Sequence, residues 1–85
     1  MRYQVVLAKA AKRDLQGLER ITQRRIASQL QSLSETPRPP GVIKLRGTEN
    51  EWRIRIGDHR TIYEIDDEKH LVTVLRIRHR REVYR

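Results

Sequence analysis

The sequence predicts an α+β fold, in which two N-terminal helices pack on one face of an antiparallel sheet in the order β-α-α-β-β-β. Three observations predict it. First, the runs Trp52-Arg53-Ile54-Arg55-Ile56 and Leu75-Arg76-Ile77-Arg78 carry arginine at every second position. Such alternation marks strands whose two faces meet different surroundings. Second, Leu15, Leu18, Ile26, Leu30 and Leu33 share one stripe at about 100° per residue, with Ile21 at its edge. Third, Pro37-Arg38-Pro39-Pro40-Gly41 separates the two regions, stopping any helix and forcing an extended connector.

The elements follow in order. Residues 2–8 read as a strand with Tyr3, Val5 and Leu7 on one face. Lys9 to Gln16 reads as a short helix, ended at Gly17. Leu18 to Glu35 reads as a longer helix, with Arg20, Arg24 and Gln31 outside its apolar stripe. Val42 to Leu45 is compatible with a short strand, so the sheet has four main strands and room for a short fifth. Arg46 to Asn50 reads as a loop. Three strands follow, at about 51–56, 60–66 and 70–78. The polar segment 79–85 fits a helical turn or an extended tail. Repeats and low-complexity segments are absent, and the proline stretch is too short to divide domains, so residues 1–85 read as one domain.

Composition narrows the function. A chain of 85 residues can bury a core only if most of its apolar residues converge. The formal charge is +8, with 19 Lys+Arg against 11 Asp+Glu. That balance points to nucleic acid, an anionic membrane or an acidic partner. Residues 1–41 carry +5 and residues 42–85 carry +3, so the charge is woven through the elements rather than held in a tail. With no cysteine, disulfides, thiol nucleophiles and cysteine-based zinc sites are excluded. Residues 1–8 lack a long apolar core, so no secretory signal is expected. No apolar run approaches the roughly 18 residues of a membrane span. A cytoplasmic protein without a membrane role is expected. No spacing suggests a metal site, no Gly-rich loop suggests a phosphate cradle, and no cofactor is expected.

Hairpin register sharpens the arginine pattern. If Gly57-Asp58 is a two-residue turn, Ile56 faces His59, Arg55 faces Arg60, Arg53 faces Ile62 and Trp52 faces Tyr63. For the next turn, a three-residue loop at 67–69 pairs Arg60 with Arg76 and Ile65 with Leu71. It keeps Leu71, Leu75 and Ile77 on the core face, whereas a two-residue loop mixes the faces. The preferred register gathers Arg53, Arg55, Arg60, Arg76 and Arg78 on one surface. Like charges directly opposite on a sheet destabilise it by roughly 0.2–1 kcal/mol per pair. Folding alone gives no reason for the arrangement, but an anion does: guanidinium grips phosphate bidentately and stays charged.

Other candidates are weaker. Trp52 could stack a base, but parity puts it and Tyr63 on the core side. Tyr84, beside Arg80 and Arg81, either meets a nucleobase or phosphate or pins the tail to the domain. His70 reads as solvent-exposed with no role, and His59 points inward by parity. His79, next to Arg78, is a candidate for proton transfer.

Three stretches carry a family resemblance. They are the connector 37–41 running into Lys44-Leu45-Arg46-Gly47, the segment Trp52 to Ile65, and the ending Leu75-Arg76-Ile77-Arg78-His79-Arg80-Arg81-Glu82-Val83-Tyr84. Together with the element order, the sequence resembles the RelE/ParE toxin superfamily of bacterial toxin–antitoxin systems, most closely its RelE branch, over nearly the whole chain. The resemblance implies a ribosome-dependent mRNA endoribonuclease that cuts in the A site without metal, by attack of a 2′-hydroxyl on the adjacent phosphate. It implies that Arg53, Arg55 and Arg60 bind and polarise the phosphate, that Arg78 stabilises the leaving group, that His79 is a proton donor, and that Tyr84 positions a base. Lys44, Arg46, Arg76, Arg80 and Arg81 are then expected to bind rRNA or the flanking RNA backbone. A cognate antitoxin protein is the expected partner, besides ribosome and mRNA.

One departure matters. Well-known RelE members carry lysine at the positions of Arg53 and Arg55. A lysine can be tuned into a base, whereas arginine is not practically deprotonated. Related toxins use a Glu and a His. His79 resembles that His, but residues 39–44 contain no matching Glu, and Glu51 is nearby without being a motif match. Two rivals remain: a ParE-like gyrase poison, a class that generally lacks the arginine and tyrosine constellation, and a non-catalytic nucleic-acid-binding module.

Overall fold

A computed structural model of the chain describes residues 2–79. The elements are β1 (Gln4–Leu7), α1 (Lys9–Gln16), α2 (Arg20–Ser32), β2 (Ile43–Lys44), β3 (Glu51–Ile56), β4 (His59–Asp66) and β5 (Leu71–His79). The α+β class and the element order match the expectation, and the optional short strand is present as β2. α1 has the expected bounds, whereas α2 begins later than expected because Leu18 and Glu19 form a break. Gly17 donates its amide to the Arg13 carbonyl at 3.1 Å, and Glu19 is extended ahead of α2. Beyond Ser32 the apolar stripe reaches Leu33 through tighter turns, in which the Leu33 amide donates to the Leu30 carbonyl at 3.0 Å.

The sheet runs β1-β5-β4-β3-β2. Three of its pairings are antiparallel, but β1 lies parallel to β5, with Val5 opposite Val72. The expectation of a wholly antiparallel sheet is corrected at this one pair. The cause is connectivity: β1 exits into the helices, and the chain re-enters at the far edge. It then meanders back through β2, β3 and β4, so β5 arrives pointing along β1.

One face of the sheet carries the core. Ala11 of α1 and Ile26, Leu30 and Leu33 from α2 and its end pack against Ile56, Tyr63, Ile65, Val72, Val74 and Ile77. Leu15, Leu18, Val5, Leu7, Trp52 and Ile54 are partly buried around it. Each large aliphatic fully removed from water contributes about 1.5–3 kcal/mol. Ile21, at the stripe's edge, is 76% exposed. Tyr63 is fully buried, and its hydroxyl donates to the Pro37 carbonyl at 2.8 Å, fastening the connector across the core.

The β3–β4 register agrees with the sequence reading at every pair, from Trp52 opposite Tyr63 to Ile56 opposite His59. Gly57 has φ of 60° while Asp58 is not left-handed, so glycine occupies the one central position that needs it. The β4–β5 register differs. Its loop is four residues, 67–70, because His70 adopts the left-handed region at φ of 50° and packs edge-on against Tyr3. His70 is therefore half-buried, against the expectation of a solvent-exposed residue. Pairing starts with Asp66 opposite Leu71, and a bulge then shifts it between Ile62 and Tyr63. Leu75 is the extra residue, since Tyr63 faces Val74 and Ile62 faces Arg76. Arg60 therefore faces Arg78 rather than Arg76, and Val72 and Val74 take the core places expected for Leu71 and Leu75.

Candidate functional site

The face of the sheet away from the helices carries the arginines. On β3, Ile56 is buried with Ile54 and Trp52 packed beside it, so Arg53 and Arg55 project oppositely. Cross-strand pairing carries that face onto its neighbours. Arg55 faces Arg60, and Arg60 faces Arg78, making a row of three guanidinium-bearing residues across β3, β4 and β5. Beside it runs a second row, Arg53, Ile62 and Arg76. Strands in a sheet lie roughly 4.7–4.9 Å apart, so the first row concentrates three positive charges within about 10 Å. Arg60, in the middle, is only 8% exposed. Arg55 is exposed, and its Nε donates to the Gly57 carbonyl at 3.1 Å, tying the side chain to the turn.

Arg76 shares the face but is engaged elsewhere. Its Nε and Nη2 donate to the two carboxylate oxygens of Asp14 at 2.8 and 3.2 Å. The same carboxylate accepts from the Ile77 amide at 2.9 Å. β1 pairs with β5 only as far as Val74. Asp14 continues the edge of β5 where the partner strand stops. Partial burial pushes the Asp14 carboxyl up, but hydrogen bonds from Arg76 and the Ile77 amide and the charges of Arg76 and Arg78 outweigh it, leaving the group below its ordinary value.

Other predicted residues lie apart from the row. His79 pairs with His59, their rings edge-on with centroids 5.4 Å apart. Both lie on the face opposite Arg78, and with Arg13, Asp14 and Leu18 they line a cavity beneath the strand ends. Alternation after Arg76 and Arg78 already implies this. Lys44 pairs with Trp52 on the helix side, its Nζ 5.9 Å from the Trp52 ring centroid. Arg38 stands over the same ring at 5.1 Å, so Trp52 is a packing platform on the core side. Arg46 lies past β2, at the end of the sheet away from the Gly57 turn. Arg80, Arg81 and Tyr84 lie outside the described residues.

Two acidic residues share the arginine face: Glu64, which the sequence reading does not name, and Glu51, which it names only as a neighbour of the basic pair. Glu51 and Glu64 face each other one pair beyond Trp52 and Tyr63. Glu51 has the parity of Arg53, a signal available in the sequence. At the far end of the sheet, the Tyr3 hydroxyl and Arg38 both donate to Asp67, at 2.6 Å and at 2.9 and 3.3 Å. The Arg38 and Tyr3 hydrogen bonds hold the Asp67 carboxyl below its ordinary value, and the bond to Asp67 raises Tyr3. Burial pushes the Tyr63 hydroxyl up to about 12. None of the described helices is long and apolar enough to cross a membrane.

The chain is similar to known toxins over nearly its whole length. A family model described as the ParE toxin of type II toxin–antitoxin system, parDE, matches residues 5–84. The toxin RelG of Mycobacterium tuberculosis is 35% identical over 100% of this chain and 99% of its own length. A RelE-like toxin protein of Escherichia coli is 31% identical over 99% of this chain and 92% of its own. Among solved structures, the archaeal RelE–RelB complex from Pyrococcus horikoshii superposes with a TM-score of 0.83 at 32% identity, covering 94% of this chain and 97% of that one. On fold, element order and sequence likeness over its length, the chain belongs to the RelE/ParE family of type II toxin–antitoxin toxins.

Proposed function

We propose that this toxin is an endoribonuclease that cuts mRNA in the ribosomal A site. The observation that carries the proposal is the row Arg55, Arg60 and Arg78, three like charges set opposite one another on adjacent strands. Like charges set opposite one another cost a sheet roughly 0.2–1 kcal/mol per pair. A phosphodiester reverses the sign.

In this reading the 2′-oxygen of the nucleotide before the cut attacks phosphorus, and the bond to the 5′-oxygen breaks. The 2′-hydroxyl proton passes to water and the departing 5′-oxygen takes a proton from water, leaving a cyclic phosphate and a 5′-hydroxyl. Negative charge builds on the phosphoryl oxygens in the transition state, and preorganised donors there are worth more than in water. Arg53, Arg55 and Arg60 hold and polarise those oxygens, and Arg78 stabilises the leaving 5′-oxygen. Tyr84 positions a base, and Arg80, Arg81 and Arg46 add contacts to the RNA backbone. His79 and Lys44 face away from the row, so we assign neither to the scissile phosphate. With arginine at positions 53 and 55, charge stabilisation dominates, and the ribosome supplies the in-line geometry of the mRNA. The toxin acts in the cytoplasm, and its partner is an antitoxin that masks the arginine face, as the RelE–RelB pairing of the archaeal relative suggests.

The test is induction of the chain followed by primer extension on cellular mRNA. The reading predicts cuts within codons and loss of both cuts and growth arrest in an Arg53→Ala/Arg78→Ala variant. Undiminished arrest with intact A-site cleavage in that variant removes the site assignment. The match to a family model named for ParE keeps gyrase inhibition as the second reading. It predicts that DNA replication stops before translation, and that purified ribosomes show no mRNA cleavage.

A further inference from the structure

A cleft of about 390 Å³ opens where α2 passes the β3–β4 turn. Its polar lining comes from Thr22 and Arg25 of α2 and from Arg55, Asp58 and His59 around Gly57. Thr22 and Arg25 sit three residues apart, on the same helix face. Arg25 leans over the turn, its Nη1 only 3.6 Å from where a Cβ on Gly57 would stand. Arg55 belongs both to this cleft and to the arginine row, so the two surfaces are continuous around the end of the sheet.

Charge gives the cleft its character. Among the described residues the ion pairs are Arg2–Glu35, Arg38–Asp67 and Arg76–Asp14, and neither Arg25 nor Arg55 takes part in one. The one acidic group in the lining is Asp58, against two guanidinium groups and an imidazole. The volume lies within the roughly 300–1,000 Å³ range that admits a small ligand. An RNA strand lying across Arg78, Arg60 and Arg55 and turning over the Gly57 hairpin runs into Arg25.

We propose that this cleft is a phosphate subsite of the RNA path, in which Arg25 and Thr22, together with Arg55, grip a phosphodiester flanking the one cut on the open face. The subsite rests on the nuclease reading and extends it to a residue on the helix layer. Arg25 is a positioning residue, since it holds a neighbouring phosphate rather than the reacting one.

The test is fluorescence anisotropy of a labelled single-stranded octanucleotide RNA bound to the full chain between 50 and 200 mM salt. Arg25→Ala is expected to weaken binding on the order of tenfold and to make the salt slope shallower by about 0.7, the loss of one phosphate contact on a single strand. Arg25→Lys should restore most of the slope. Arg24→Ala, exposed and outside the cleft lining, should change affinity by less than about twofold. Unchanged affinity and slope in Arg25→Ala, with the parent chain binding RNA, overturn the subsite and leave the nuclease reading standing. Absence of binding by the parent chain both to the octanucleotide and to programmed ribosomes overturns the nuclease reading and the subsite with it. Loss of binding to a polyglutamate peptide in Arg25→Ala, with RNA binding intact, assigns the cleft to an acidic protein and also overturns the subsite.

Discussion

The two faces of the sheet obey opposite rules. Toward the helices β3, β4 and β5 offer groups that gain by leaving water, and Tyr63, Ile65, Val72 and Val74 are essentially fully buried. Away from them, β3, β4 and β5 place Arg55, Arg60 and Arg78 side by side. One face stores the stability of the domain, while the other consumes some of it. What the contrast teaches is that the proposed site lies where burial does not explain the side chains.

Substitutions can separate the faces. The largest effect is expected from Ile26→Ala, which removes a fully buried side chain of α2. Unfolding in urea should show a loss of about 2–5 kcal/mol, with toxicity falling alongside folded protein. Next comes Arg55→Thr on the opposite face. Cleavage on programmed ribosomes should drop about 10²–10³-fold, as for loss of one transition-state donor. The same variant should be as stable as the parent or more so, by roughly 0.2–1 kcal/mol, because a like-charge pair is gone. If Arg55→Thr destabilised the domain as Ile26→Ala does, the division between the faces would collapse.

A smaller effect belongs to the edge where the faces meet. Asp14→Ala should cost about 1–2 kcal/mol by stripping Arg76 and the Ile77 amide of their acceptor. Asp14 has its folded-state value depressed, so its contribution is complete above the ordinary carboxylate value of about 3.9 and is lost as pH falls through the folded value. The parent's acid-unfolding curve below about pH 4 should therefore be steeper than that of Asp14→Ala. The smallest effect is expected from Tyr63→Phe, about 1 kcal/mol, from loss of the hydrogen bond to the Pro37 carbonyl. Its cleavage rate should not change.

How much of this the sequence disclosed depended on turn chemistry. Gly57-Asp58 admits few hairpin geometries, so the β3–β4 register followed residue by residue, and with it Arg55 opposite Arg60. The β4–β5 turn has no such signature. Its extra residue, His70, is held by a left-handed backbone and a contact with Tyr3, both products of tertiary packing. The bulge at Leu75 then adds a second one-residue shift. One shift alone exchanges the faces, so Val72 rather than the expected Leu71 points into the core. Two shifts restore them, which is why Arg76 and Arg78 were placed on the right surface with the wrong partner. His79 and Lys44 teach a different lesson. Local alternation already sets His79 on the face opposite Arg78, whereas the side of Lys44 follows only from its pairing with Trp52, which alternation does not specify. The cleft at Arg25 was illegible, because it joins a helix to a turn some thirty residues away and no periodicity reports that meeting.

The parallel contact of β1 with β5 carries a consequence for the order of events during synthesis. The first strand to leave the ribosome finds its hydrogen-bonding partner only in the last strand described, and the arginine row is likewise incomplete until Arg78 has emerged. All three arginines of the row lie on β3, β4 and β5, so the first half of the chain contributes none of them. Closure of so long a sequence separation is slow relative to local pairing. On the proposed reading the phosphate-binding row is therefore completed only when β5 docks between β1 and β4.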